Sequence, residues 1–391
     1  MDSRAWWVWL QHGLGAGSSK PQRIFESYAS IENFYRAGEE GWRLEGYFTA
    51  REIQRFKSYS LTQAQAQIEY AEKLGQRILT PDMNTYPQCL GQLRNYPCVL
   101  YMKGTLPPVD FMLSIAVVGT RRATKSGRTI AHAMGYELAR AGAIVVSGGA
   151  LGIDTQAHRG AVEAGGRSVC VLGCGIDADY LLANASLRQA VSLDGALISE
   201  YPPGTQAMAS NFPIRNRIIS GLCDATVVVE AASKSGSLIT ANDALDQGRD
   251  VFAVPGNVQS TMSKGTNRLI QEGCTPATCT RDILQPYESK YRIILPDNPG
   301  INVILPDSPP SAGNSVPHKS HAKESPEGLS NAAAALYRVL DFHPKSIDEL
   351  CCATGMEPAK ILAAATELEL RSFAQACVGQ RYKLTDNQAM T

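Results

Sequence analysis

The stretch SIAVVGTRRATKSGRTIAHAMGYELARAGAIVVSGGALGID, residues 114–154, decides the fold. A β-branched run, Ser114–Val118, enters a glycine turn, and an amphipathic segment, Lys125–Ala141, follows it. A second apolar run, Ala143–Ser147, then meets Gly148, Gly149 and Gly152. Strand, glycine turn, helix and strand in this order predict parallel strands joined by crossover helices. The unit recurs, with further strands expected at Ser168–Leu172, Ala196–Ser199, Thr226–Val229 and Val251–Val254, and helices at Ile153–Ala164 and Ser237–Gln247. Six such strands predict an α/β fold, an extended Rossmann-like parallel sheet over 78–291, whose ligand crevice lies outside the C-terminal strand ends.

The flanks read differently. Residues 1–77 hold all four tryptophans (6, 7, 9 and 42) and predict short helices. Two readings fit: a helix-hairpin-helix nucleic-acid binder whose glycine hairpin meets phosphate, or a small bundle with the tryptophans as core, their commoner fate. Residues 292–328 predict a Pro-rich linker in which ILPDNP (294–299) is nearly repeated as ILPDSP (304–309). Residues 329–391 predict a winged-helix-like module, with helices at Leu329–Leu340, Ser346–Ala353 and Glu357–Leu368 and a wing over Ser372–Leu384. Its third helix sets Lys360 against Glu357, Glu367 and Glu369, which suits protein docking or a structural role better than reading DNA.

Lys+Arg and Asp+Glu both number 37, so any nucleic-acid binding must come from a local patch. Ten irregularly spaced cysteines with no Cys-x-x-Cys predict reduced thiols and a cytoplasmic protein. The apolar patch in MDSRAWWVWLQHGLG is too short to span a membrane, and none is expected as a partner.

The turns at the strand ends carry the candidate chemistry. Gly119, Thr120 and Arg121 follow the first strand, and Ser147, Gly148 and Gly149 close another. NFPIRNRIISG (Asn211–Gly221) reads as a Gly/Asn-rich turn with Arg215 and Arg217 flanking Asn216 and with Phe212 placed to stack on a base. Lys234, Ser235, Gly236 and Ser237 precede a helix and can cap an anion. Bare amides with guanidinium forks suit phosphate oxygens. Neither G-x-G-x-x-G nor G-x-x-x-x-G-K-[ST] follows a strand, which disfavours NAD and Walker-type ATP sites. Asp154 reads as a helix cap above a lone His158, Cys174 has no local histidine to activate it, and Glu230 is expected to pair with an arginine. No catalytic set, cofactor or metal site is expected.

The motifs VVGTRRAT (117–124), SGGALGIDTQAH (147–158), VLGCGID (171–177), SEYPPGT (199–205), FPIRNRIISGL (212–222), EAASKSGSLITA (230–241), GRDVFAVPGN (248–257) and KGTNRLIQEGC (264–274) resemble the DNA-processing protein A (DprA/Smf) family. They cover about Tyr86 to Cys274 in the family's order. The resemblance implies a non-enzymatic, cytoplasmic binder of single-stranded DNA. Such a protein protects incoming DNA in natural transformation, helps load the RecA recombinase, and dimerises through the Rossmann-like domain. It also implies phosphate-binding roles for the turns at Gly119–Arg121 and Ser147–Gly149, a basic loop at Phe212, Arg215, Asn216 and Arg217, and a capping turn at Ser235–Ser237. Leu181 after Tyr180 departs from the family pattern, as does the lack of a basic residue just before Phe212. The alternative is a nucleotide phosphoribohydrolase-like enzyme of the same superfamily, with Glu230 as its acid, or a nucleotide sensor.

Overall fold

The computed structural model describes residues 2–296, 329–340, 345–371, 373–377 and 381–384, and contacts divide the chain into two units, 1–308 and 309–391. Most of the expected linker therefore lies outside the described residues.

The first unit begins with helices α1 (Arg4–Leu14), α2 (Pro21–Tyr28), α3 (Ile31–Leu44), α4 (Ala50–Ser58) and α5 (Leu61–Lys73). Thr49 with Glu52 and Ser60 with Gln63 form reciprocal capping boxes that start α4 and α5. Trp7, Trp9 and Trp42 are buried with Phe34 and Phe56, and the indole N–H groups of Trp9 and Trp42 donate to the carbonyls of Tyr59 and Phe34. These three tryptophans are core, and the partly buried Trp6 packs against them. The hairpin after α1 is turned inward, its Gly17 amide donating to the Glu200 carboxylate at 3.2 Å. The bundle reading therefore accounts for this module.

The chain continues through β1 (Arg77–Leu79), α6 (Gln88–Gly91), β2 (Leu100–Gly104), β3 (Ser114–Val118), α7 (Lys125–Arg140), β4 (Ile144–Ser147), α8 (Ile153–Glu163), β5 (Ser168–Leu172), α9 (Ala185–Asp194) and β6 (Ala196–Ser199). It ends with α10 (Asn211–Gly221), β7 (Ala225–Val228), α11 (Ser237–Asp246), β8 (Asp250–Ala253), α12 (Lys264–Gln271), β9 (Thr275–Pro276) and α13 (Thr280–Leu284). The strands form one sheet in the order β1-β2-β6-β5-β4-β3-β7-β8-β9. All six expected strands are present within one residue of their expected bounds and pair in parallel. Three strands were not anticipated. β1 and β2 add antiparallel beyond β6, and the two-residue β9 adds parallel beyond β8. None of the three has the strand–glycine–helix context that marks the others.

Alternation along the strands sorts side chains to two faces. Ile115, Val117, Val145 and Phe252 pack with α7, α8 and α13, whereas Ala116, Val118, Val146 and Val228 pack with α6, α10, α11 and α12. The helical module covers β1 and β2 through Ile78, Val99 and Tyr101.

The largest departure from expectation is Asn211–Gly221, which is helix and not turn. Pro213 falls in the first turn, where a missing N–H breaks no intrahelical bond. Arg215 through Gly221 are buried on every side, so the segment lacks the apolar stripe that would have marked it as helical.

The second unit contains α14 (Asn331–Val339), β10 (Lys345–Ser346), α15 (Ile347–Thr354), α16 (Pro358–Leu370), β11 (Ala374–Cys377) and β12 (Arg381–Leu384), with a sheet ordered β10-β12-β11. It is a winged helix around Leu336, Ile361, Ala365, Leu368 and Tyr382. Two of the acids on α16 are engaged internally: Glu367 accepts from the Ser330 amide at 2.9 Å, and Glu369 accepts from the Ala376 amide at 2.5 Å.

Candidate nucleic-acid interface

Strand order reverses at β3: the chain runs from β3 through β4 and β5 to β6 on one side, then returns to place β7 and β8 on the other. The two turns that leave β3 and β7 must therefore diverge, and a crevice opens between them at the C-terminal sheet edge. The Thr120 amide donates to the Glu230 carbonyl at 2.7 Å and so ties the two turns together. A Cβ on Gly119 would lie 2.5 Å from Ile153 Cγ1 and 2.9 Å from the Glu230 carbonyl oxygen, so only glycine lets the backbones approach this closely.

Four side chains converge over the ends of β3, β4 and β5. The Phe212 ring, in the first turn of α10, has the Arg121 guanidinium 4.8 Å and the Arg215 guanidinium 5.8 Å from its centroid, and the Tyr180 ring packs on it at 5.2 Å. Neither arginine has a carboxylate within ion-pair distance among the described residues. Arg121 is exposed. Arg215 is only 3% exposed, donates Nη1 to the Val171 carbonyl, and leaves Nε unpartnered among the described residues. Gly148 makes room for it, since any side chain there would collide with the guanidinium. Gly149, at φ +65°, lets the same turn double back over Cys170.

Asp154 supplies a nearby negative charge. It sits in the first turn of α8, accepts from the Ala150 amide at 3.3 Å, and helps hold the glycine turn; Gly152, not Asp154, is the N-cap. Burial pushes its carboxyl upward against the opposing pull of Arg215, and burial lowers the Arg215 guanidinium while Asp154 raises it. His158 is a core histidine. Its Nδ1 is 2.8 Å from Ser168 Oγ, and burial with the Arg215 charge holds its pKa at about 4.

Several other candidates make hydrogen bonds within the fold. Ser147 Oγ donates to the Val117 carbonyl at 2.6 Å, and Asn216 Nδ2 donates to the Gly236 carbonyl at 3.3 Å, joining α10 to the Ser235–Ser237 turn. Ser235 and Ser237 hydroxyls are 2.9 Å apart at the start of α11, beside exposed Lys234. Arg217 does not join Arg215. Two residues along a helix rotate a side chain by roughly 200°, and Arg217 Nη2 lies 2.8 Å from both oxygens of Glu200, the pair only 5% and 2% exposed. Glu230 corrects another expectation. Among the described residues it meets no arginine, and instead its carboxylate accepts from the Thr124 amide at 2.9 Å and from Thr124 Oγ1 at 2.7 Å, clamping the start of α7.

Cys174 is 1% exposed, and burial raises its thiol above the usual range; burial likewise pushes the Cys170 thiol up to about 12. Such thiols are inert rather than nucleophilic. No cluster of three metal-binding side chains occurs among the described residues. No helix among them is long and apolar enough to cross a membrane. Tyr180 and Asp154 are parts of the site that residue chemistry alone had not assigned to it. Tyr180 lies in an irregular loop with no periodic signal, and the conventional position of Asp154 at a helix start hid its relation to Arg215.

Residues 77–288 match the family model of the DNA recombination-mediator protein A, and residues 320–380 match that of the DprA winged helix domain. The DNA processing protein DprA of Streptococcus pneumoniae is 36% identical over 254 residues, 64% of this chain and 81% of the relative. Protein Smf of Escherichia coli is 32% identical over 337 residues, 86% of this chain and 85% of the relative. Among solved structures, the X-ray structure of DprA from Streptococcus pneumoniae aligns with a TM-score of 0.64 at 31% identity, covering 73% of this chain and 98% of that one. DprA from Helicobacter pylori, described for its single-stranded DNA binding mode, aligns with a TM-score of 0.50 at 28% identity, covering 55% and 97%. With its sheet domain and winged helix both matched, the chain belongs to the DprA/Smf family of DNA-processing proteins.

Proposed function

We propose that the protein binds single-stranded DNA in natural transformation, holds it without cutting it, and helps load RecA recombinase onto it in the cytoplasm, acting as a homodimer. The observation that carries this reading is the pair of guanidinium groups, Arg121 and Arg215, gathered over one phenyl ring at the sheet's switch point with no ion-pair partner among the described residues. Phosphate oxygens are met by Arg121, by the Gly119–Thr120 turn with its Thr120 hydroxyl, and by the Gly148–Gly149 turn, with Arg215 as the buried charge beneath. Lys234, Ser235, Gly236 and Ser237 extend the anion-binding edge at the start of α11. Phe212 gives the bases an aromatic surface, while Ser147, Asn216 and Arg217 hold the turns and α10 in place. The single-stranded DNA binding mode described for the Helicobacter pylori relative supports the choice of ligand.

An enzymatic reading loses its general base. The Glu230 carboxylate is committed to Thr124, and a Cβ on Gly127 would collide with it, so no substrate atom has room there. Fluorescence anisotropy with labelled oligo-dT tests the DNA reading. Affinity should fall with salt by a log–log slope of about 0.7 per phosphate contact, and Arg121→Ala and Arg215→Ala should each weaken it. Unchanged binding in both variants would reject the site. Release of adenine from AMP, abolished by Glu230→Gln, would replace this reading with the hydrolase one.

A further inference from the structure

A second cleft, of about 320 Å³, lies on the other side of α10, between the helical module and the end of β6. Val8, Tyr101, Tyr201 and Pro202 give it apolar and aromatic walls, and Gln11 and Glu200 place polar groups inside. Partly exposed Arg55 and exposed His12 complete its lining from the helical module. Small-ligand sites typically combine such walls with a few convergent polar groups, in volumes from about 300 Å³ upward.

We propose that this cleft receives a nucleotide of the same DNA strand that the crevice holds, so that the helical module lengthens the footprint. The inference rests on the single-strand reading above. The two sites share the first turn of α10: the Tyr201 hydroxyl, in the cleft wall, donates to the Asn211 carbonyl at 3.4 Å, and the next residue, Phe212, faces the crevice. A strand leaving the crevice toward β6 crosses the N-terminal end of this helix, where the dipole favours phosphate.

Charge in the cleft fits an anionic ligand. Glu200 is matched by Arg217, so the interior carries no uncompensated negative charge. Arg55 has no ion pair or side-chain hydrogen bond among the described residues, and its Nη1 lies above the glycine hairpin, 3.2 Å from where a Cβ on Gly15 would sit. The His12 ring stacks on Tyr59 with centroids 3.8 Å apart, and burial followed by the Arg55 charge lowers its pKa. His12 therefore offers an aromatic surface, and Arg55 is the one permanent cation lining the cleft among the described residues.

The test uses the full chain with labelled oligo-dT of increasing length, with dTMP as a separate arm. Arg55→Ala should leave the shortest bound oligonucleotides unaffected, weaken long ones about tenfold, and make the salt slope shallower by about 0.7. Arg55→Lys should restore the slope, and unchanged tryptophan emission should show the module intact. Long oligonucleotides carrying 5-iodouracil should photocrosslink to peptides containing Tyr101 or Tyr201. Native affinity and slope at every length in Arg55→Ala, without those adducts, would overturn the inference and leave the crevice reading standing. Unaffected binding in both Arg121→Ala and Arg215→Ala would instead strike the crevice. Saturable dTMP binding lost in Arg55→Ala, with oligonucleotide binding untouched, would assign the cleft to a free nucleotide and equally overturn the proposal.

Discussion

Replacing Glu200 by methionine is expected to loosen the joint between the helical module and the sheet. The carboxylate accepts from Gln11 Nε2 at 3.3 Å, from the Gly17 amide at 3.2 Å, and from Arg217 Nη2 at 2.8 Å to each oxygen. Methionine keeps the volume but removes every one of these bonds. It strands a guanidinium whose Nε and Nη1 already lack partners among the described residues. Breaking a buried ion pair from one side costs about 3–5 kcal/mol, and at a few degrees per kcal/mol for a large domain, Tm should fall by on the order of 10 °C. Arg217→Met alone should cost a similar amount. The double variant should recover most of the loss, because two apolar side chains need no partner, and the coupling should exceed about 2 kcal/mol. Unfolding followed by tryptophan fluorescence reads this directly, since all four tryptophans lie in the helical module. Single variants within 1 kcal/mol of native, or a double variant equal to their sum, would refute the reasoning (1 kcal/mol being about the worth of a surface pair).

Further outcomes follow from the same geometry. His158 is held near pKa 4 in the fold against 6.5 when free, so its contribution is complete above pH 6.5 and is lost as pH falls toward 4, about 3 kcal/mol in all. Urea midpoints between pH 7 and 4.5 should show this fall, and His158→Gln should flatten it. Gly148→Ala should push Arg215 out of place, lowering stability by about 1–3 kcal/mol together with oligo-dT affinity; full affinity would argue that Arg215 does not serve the crevice. Glu230→Gln should weaken the start of α7 by about 1–3 kcal/mol, measured by urea unfolding, with oligo-dT binding retained in the folded protein.

Residue order alone determined the parallel sheet, because each core strand meets a glycine turn and an amphipathic helix within a few residues, so the signal is local. It also determined that Arg121 and the turn before it stand at a strand end. Tertiary structure decided how the two arginines of α10 divide. Read as a turn, NFPIRNRIISG offers both to one anion. As a helix buried on all sides it turns Arg217 away, and Glu200, 17 residues earlier in the chain, captures it. The same holds for Glu230, whose partner is a threonine 106 residues distant rather than an arginine. A buried charge takes whatever donor the packed chain brings within about 3 Å, and no local pattern encodes that meeting.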